Sequence, residues 1–312
     1  MKRRNFIAGS LAGASGLIAY SCATQPADQG KEELFSFIHF SDVHVQPENG
    51  ATEGFLKAIE KMNSLNPDFV ISGGDLVRDS LAVDEDRAFM LYDLYEECIK
   101  SFEVPLYNVM GNHEVFGITA PDKVSRNHPD WGKELFKRRL GEGKTYRSFD
   151  YNGVHFLLLD SVGIEKNDDD SYNYIGEIGA EQFNWLKNDI SGIDSATPII
   201  AVAHIPLVTL YHQITDDPTS ANSRGTVLTD GSELYDLLAR YNFLGFLEGH
   251  IHVNELYQYK GAKIIDTAAV SGSWWDGPRD GHPEGFNLIH VFEDEITNEY
   301  ITYGWDATQY NV

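Results

Sequence analysis

Phe37-Ile38-His39-Phe40-Ser41-Asp42-Val43-His44 reads as an apolar strand that stops at an Asp-x-His pair. The same design recurs along the chain. Phe69-Val70-Ile71 leads through Gly73-Gly74 to Asp75, and residues 107–110 run into Gly111-Asn112-His113-Glu114. Residues 199–203 end at His204-Ile205-Pro206, and Phe246-Leu247 lead to Gly249-His250-Ile251-His252. In open α/β sheets the carboxyl ends of strands form the binding crevice, so these blocks are expected to converge on one edge. Gly73, Gly74, Gly111 and Gly249 permit the sharp turns and close backbone approach this requires. Asp, Asn and His without Cys form a ligand set for hard or borderline divalent metals. It holds more ligands than one metal can use, which argues for two. A sixth block is the loop around Trp274 and Trp275.

Outward from these blocks, strand-length apolar runs alternate with helical stretches. Strands are predicted at 34–40, 68–71, 105–110, 154–159, 198–203 and 243–247, and helices at 51–65, 84–101, 180–190 and 232–241. Residues 154–159 are almost wholly apolar, as in a strand covered on both faces. The tail reads as strands without helices between them, at 255–259, 263–267, 286–291 and 296–303. Alternation followed by strands points to an α/β sandwich with mixed sheets. Residues 114–129 and 207–228 read as long surface loops, a length that is usually functional or mobile.

Lys plus Arg number 24 against 48 Asp plus Glu, a net charge of −24. Such a surface repels nucleic-acid backbones, and no local basic stripe offsets it. Residues 1–22 have the form of an export signal: Lys2-Arg3-Arg4, an apolar segment over 6–20, then Ser21-Cys22. Ala19-Tyr20-Ser21-Cys22 resembles a bacterial lipobox, and Arg3-Arg4-Asn5-Phe6-Ile7 a twin-arginine motif. The expectation is an exported bacterial protein, periplasmic or anchored to the membrane by a lipid on Cys22. Residues 23–33 form a polar linker, and 34–312 a single domain. With Cys22 lipidated, Cys98 has no intrachain disulfide partner.

In chain order, with their glycines, the five blocks resemble the calcineurin-like metallophosphoesterase superfamily: Asp-x-His, Gly-Asp, Gly-Asn-His-Asp/Glu, a lone His, then Gly-His-x-His. The match runs from Asp42 to His252, and flanking strands extend it over most of 34–303. The resemblance implies a four-layer α/β/β/α sandwich. It assigns one metal to Asp42, His44, Asp75 and His252, and a second to Asp75, Asn112, His204 and His250, with Asp75 bridging through its two oxygens. His113 becomes a general acid or transition-state stabiliser, with Glu114 as its orienting partner or a solvated loop carboxylate. Two cations about 3.5–4 Å apart lower the pKa of a bridging water and clamp phosphoryl oxygens for in-line attack. No covalent intermediate is then needed. Mn, Fe and Zn suit the donor set alike.

Purple acid phosphatases carry a Tyr three residues after the bridging Asp, where this chain has Arg78. The group of bacterial cyclic-nucleotide phosphodiesterases and related exported phosphohydrolases looks closer. The expected substrate is a small phosphomonoester or phosphodiester. An envelope or phospholipid phosphoesterase of the same fold is the alternative, and a non-catalytic binding module the third reading. Arg78, Trp274 and Trp275 are candidate substrate contacts. Adjacent residues of an extended chain face opposite ways, so the two indoles are not both expected in the core.

Overall fold

The computed structural model describes residues 31–310. The expected signal over 1–22, Cys22 included, lies outside the described residues, as does the linker up to residue 30. What is described of the linker is tied to the fold at the surface, where Lys31 reaches Asp294 and Glu295 at 2.9 Å. No helix among the described residues is long and apolar enough to cross a membrane.

The first five strands in chain order are β1 (Phe35–Phe40), β2 (Val70–Ser72), β3 (Leu106–Asn108), β4 (Arg147–Tyr151) and β5 (Val154–Leu158). A hairpin follows, β6 (Val162–Lys166) and β7 (Tyr172–Gly176), then β8 (Pro198–Val202) and β9 (Asn242–Glu248). The tail adds β10 (Glu255–Tyr259), β11 (Ala262–Asp266), β12 (Gly285–Val291) and β13 (Ile296–Thr302). The helices are α1 (Ala51–Asn63), α2 (Glu85–Cys98), α3 (Glu134–Arg139), α4 (Gly179–Ile190), α5 (Tyr211–Thr215) and α6 (Gly231–Leu238).

The strands form two mixed sheets, ordered β13-β12-β1-β2-β3 and β10-β11-β9-β8-β5-β4, with β6-β7 apart. Side chains alternate across each strand, and burial follows that alternation. Phe35 and Phe37 of β1 join Phe156 and Leu158 of β5 and Ile200 and Val202 of β8 in the core between the sheets. Ile38 and Phe40 turn the other way, onto Phe55, Ile59 and Met62 of α1 and Tyr92 and Tyr95 of α2. Leu157, Ile199 and Ala201 turn outward onto Phe183 and Leu186 of α4 and Leu234 and Leu238 of α6. Four layers, α/β/β/α, result.

The elements missed by sequence reading are α3, β4, the β6-β7 hairpin and α5, all short and partly exposed, with little apolar periodicity to reveal them. The last strand but one pairs far back along the chain. β12 lies antiparallel to β1, placing Ile289 opposite Phe37.

At the end of β9, register sets Asp266 beside Glu248 on one side and Glu255 on the other. Asp266 is buried, and neither of its carboxylate oxygens has a hydrogen-bond partner. Burial first, then Glu248 and Glu255, push it well above the usual carboxylate range. An unfolded Asp ionises near 4 (about 3.9), so between that pH and the raised value the native state holds a proton that the unfolded chain has lost. Stability therefore falls as pH rises through this window. Asp266→Asn removes the ionisation and lets an amide N–H meet the unpartnered Glu248 Oε1. The variant is expected to be more stable at pH 8 by roughly 1–3 kcal/mol, with a smaller gain at pH 5. Urea unfolding at both pH values reads this, and an unchanged or lowered midpoint at pH 8 would refute it.

Candidate metal centre

β1, β2 and β3 run parallel, so their carboxyl ends share one edge and deliver Asp42, His44, Asp75 and Asn112 together. β8 and β9 are parallel in the facing sheet and deliver His204, His250 and His252 opposite them. The convergence expected from the sequence is what the topology produces. Asp42, His44, Asp75, His250 and His252 all have positive φ, between 47° and 75°, a region costly for residues other than glycine. These left-handed residues turn the chain just past the strand ends. Gly111 is needed for a different reason, since a Cβ there would lie 2.3 Å from Asp75 Oδ1.

Two sets of donor atoms meet at Asp75 Oδ2. On one side His44 Nε2 stands 3.7 Å from it. His44 Nε2 is also 3.1 Å from His252 Nε2, which lies 3.2 Å from Asp42 Oδ1. On the other side His204 Nε2 is 3.1 Å from Asp75 Oδ2 and 3.2 Å from both Asn112 Oδ1 and His250 Nδ1. The other Asp75 oxygen, Oδ1, accepts the His113 backbone N–H at 2.9 Å. Only one oxygen of Asp75 therefore faces both sets, in contrast to the expectation that each oxygen would face one cation.

Backbone carbonyls fix the imidazole tautomers. His204 Nδ1 donates to Gly73 O (2.8 Å), His252 Nδ1 to Gly272 O (2.6 Å) and His250 Nε2 to Gly225 O (3.0 Å). A carbonyl only accepts, so each of these nitrogens keeps its proton and the opposite nitrogen presents a lone pair to the centre. Lone pairs of imidazole and carboxylate facing each other at about 3 Å need a positive charge between them. The donor set thus fits cations.

The imidazoles are shifted in opposite directions. Burial, then His113, holds His44 well below the usual imidazole range. Burial, then His204, lowers His250 to about 4. Burial also works against charge on His204, but the Asp75 carboxylate outweighs it and lifts His204 to about 9.

Glu114 proves to be neither a solvated carboxylate nor the partner of the His113 ring. It is fully buried, and its oxygens accept the backbone N–H groups of Asp75 (2.9 Å), Leu76 (2.7 Å), Val77 (3.1 Å) and Gly111 (2.7 Å). Burial and Asp75 push it up to about 8, against the pull of the Val77 and Gly111 amides. Glu114 clamps the loop that carries Asp75. His113 is instead held by its Nδ1–H, which donates to Arg78 O at 2.7 Å, leaving Nε2 free 3.8 Å from Asp75 Oδ2.

The two tryptophans separate. Trp275 is fully buried, its Nε1–H donating to Val43 O (2.9 Å) and its ring against Trp305 and the face of α1 at Gly54. Its indole has no face left for a ligand, which corrects its reading as a substrate contact. Trp274 turns the other way and lies with its ring 4.8 Å from His252 and 5.9 Å from His44. Arg78 lies over Trp274, with no carboxylate in ion-pair reach among the described residues. Sequence reading missed Tyr174, whose ring meets His250 edge-on at 6.2 Å, and Arg279 over Trp274. For Tyr174 the local signal is the turn-forming Asn167-Asp168-Asp169-Asp170 that precedes it, since Tyr172-Asn173-Tyr174-Ile175 shows little apolar periodicity.

Residues 35–254 match the family model of calcineurin-like phosphoesterases. The chain belongs to that family. It is 24% identical to bovine serine/threonine-protein phosphatase CPPED1 over 89% of this chain and 77% of that one. It is 25% identical to a cAMP/cGMP dual specificity phosphodiesterase of Mycobacterium tuberculosis over 88% of this chain and 81% of that one. Among solved structures, a dimetal phosphatase from Danio rerio superposes with a TM-score of 0.59 at 16% identity, covering 88% of this chain and 100% of its own. As a calcineurin-like phosphoesterase the chain is a metal-dependent hydrolase of phosphate esters, and its clustered His and Asp residues suit a two-metal site.

Proposed function

We propose that this phosphoesterase hydrolyses a small phosphomonoester or phosphodiester by direct, in-line attack of water, with no covalent intermediate. Asp42, His44, Asp75 and His252 hold one cation, and Asp75, Asn112, His204 and His250 the other, drawn from Mn, Fe or Zn. Bound there, two cations supply Lewis-acid stabilisation of phosphoryl charge and activate water. The observation that carries this reading is the single oxygen, Asp75 Oδ2, common to both donor sets, with His113 Nε2 3.8 Å away.

The chain's own residues do the rest. Nδ1 of His113 stays protonated against Arg78 O, so Nε2 is the atom that gives or holds a proton. Protonated, it donates to the leaving oxygen or to charge developing on phosphorus. Glu114 keeps Asp75 in register through four backbone N–H groups, and the carbonyls of Gly73, Gly225 and Gly272 hold the imidazole planes.

The test is a panel of phosphate esters, including p-nitrophenyl and bis-p-nitrophenyl phosphate, run after loading with Mn, Fe or Zn. Turnover with close to two metals per chain is expected. Fewer than one metal, with no turnover on any ester, would sink the reading.

A further inference from the structure

We propose that Arg78 and Arg279, each in cation–π contact with the Trp274 indole, form an anion subsite beside the metal centre that selects phosphate esters carrying a second anionic group. The inference rests on the phosphoesterase reading above and names its substrate class. The guanidinium carbons lie 5.8 Å (Arg78) and 5.5 Å (Arg279) from the Trp274 ring centroid. The same ring is 4.8 Å from the ring of His252, so both cationic groups stand within one indole of the first donor set.

Both arginines are fixed at the backbone. Arg78 donates its N–H to Val45 O (3.1 Å) and accepts at its carbonyl from His113 Nδ1 (2.7 Å). Arg279 is closed onto His282 by two backbone hydrogen bonds of 3.0 and 2.8 Å, and its Nη2 donates to Tyr211 Oη at 3.2 Å. Neither is fully neutralised. Arg78 has no carboxylate in ion-pair reach among the described residues. Asp280 Oδ2 lies 3.3 Å from Arg279 Nε, but it also accepts the Tyr211 hydroxyl proton and is half-exposed.

This placement is unexpected in a chain with twice as many acidic as basic residues. Two guanidiniums beside a site that holds cations are repelled by it unless an anion is bound there. Guanidinium forks suit carboxylate and phosphate oxygens, while cation–π contact with Trp274 holds them in place. The scissile phosphoryl group belongs to the metal centre, so a second anionic group is what this subsite takes. A diphosphate, or a phosphate ester bearing a carboxylate, has that form.

The test compares methylphosphonate with phosphonoacetate, which adds a carboxylate and is not hydrolysed, by calorimetric binding to the Mn-loaded chain. The wild type is expected to prefer phosphonoacetate by about 10-fold or more. Arg78→Gln and Arg279→Gln are each expected to cut that preference at least about 3-fold, and the double variant to abolish it. Arg240→Gln, at an exposed position after α6, controls for net charge and is expected to keep it. No preference in the wild type, or a preference undiminished from wild type in both arginine variants, would overturn the subsite. A chain that hydrolyses p-nitrophenyl phosphate without the preference would sink the subsite alone. The preference without hydrolysis of any phosphate ester would sink the phosphoesterase reading and leave the subsite standing.

Discussion

Replacing Asp75 with Asn is expected to strip both cations from the chain and to lower kcat/KM by roughly 10³-fold or more, the scale set by several kcal/mol of charge stabilisation. The reason lies in how the two carboxylate oxygens are used. Oδ1 accepts from the His113 backbone N–H at 2.9 Å, and Oδ2 faces both donor sets. An Asn side chain has one acceptor and one donor. With its oxygen toward His113, the amide N–H groups point at both cation positions. Flipped, they meet the His113 N–H. Either orientation breaks one of the two functions, and the negative charge is lost in both. Metal analysis of the purified variant after Mn loading is the measurement. Retention of two metals per chain would show that Asp75 is not the shared ligand.

Replacing His113 with Ala separates acid–base work from metal binding. The His113 backbone N–H still holds Asp75 Oδ1, because that contact does not use the side chain. Metal content is therefore expected to stay at the wild-type level while kcat falls by roughly 10²–10⁴, the usual scale for a positioned proton donor. The loss should be smaller for esters with good leaving groups, which need less protonation, than for alkyl phosphates. Loss of the metals in this variant would make His113 a ligand and not a proton donor. An equal loss for all leaving groups would shift its role toward charge stabilisation on phosphorus.

Much of this centre is legible in the sequence because strand ends are marked twice, by an apolar run and by the polar block that follows. Parallel β1, β2 and β3 must put their carboxyl ends on one edge, so Asp42, Asp75 and Asn112 meet without any knowledge of the tertiary fold. Glu114 was less legible. Its sequence neighbours describe a loop, and only the tertiary return of the Asp75 loop supplies the amide donors that make its burial tolerable. The Trp pair shows the same limit. Alternation predicts opposite directions for an extended chain, but Trp274 and Trp275 both have positive φ (51° and 76°), so a turn separates the indoles and the space that Gly54 leaves on α1 takes Trp275. Arg279 and Tyr211, brought together from a loop and the start of α5, 68 residues apart, carry no local signal.

The left-handed backbone at Asp42, His44, Asp75, His250 and His252 sets thermal tolerance against chemistry at the same five positions. Each non-glycine residue in that region costs on the order of 1–3 kcal/mol, a cost that glycine avoids. At Asp42 and Asp75 the carboxylate also accepts a backbone N–H, from His250 (3.0 Å) and His113 (2.9 Å), so glycine there would relieve the backbone only by leaving a donor unmet and a ligand missing. Directed evolution of this chain for heat resistance therefore needs a hydrolysis readout at each round, because relief of backbone cost at these five positions always removes a donor.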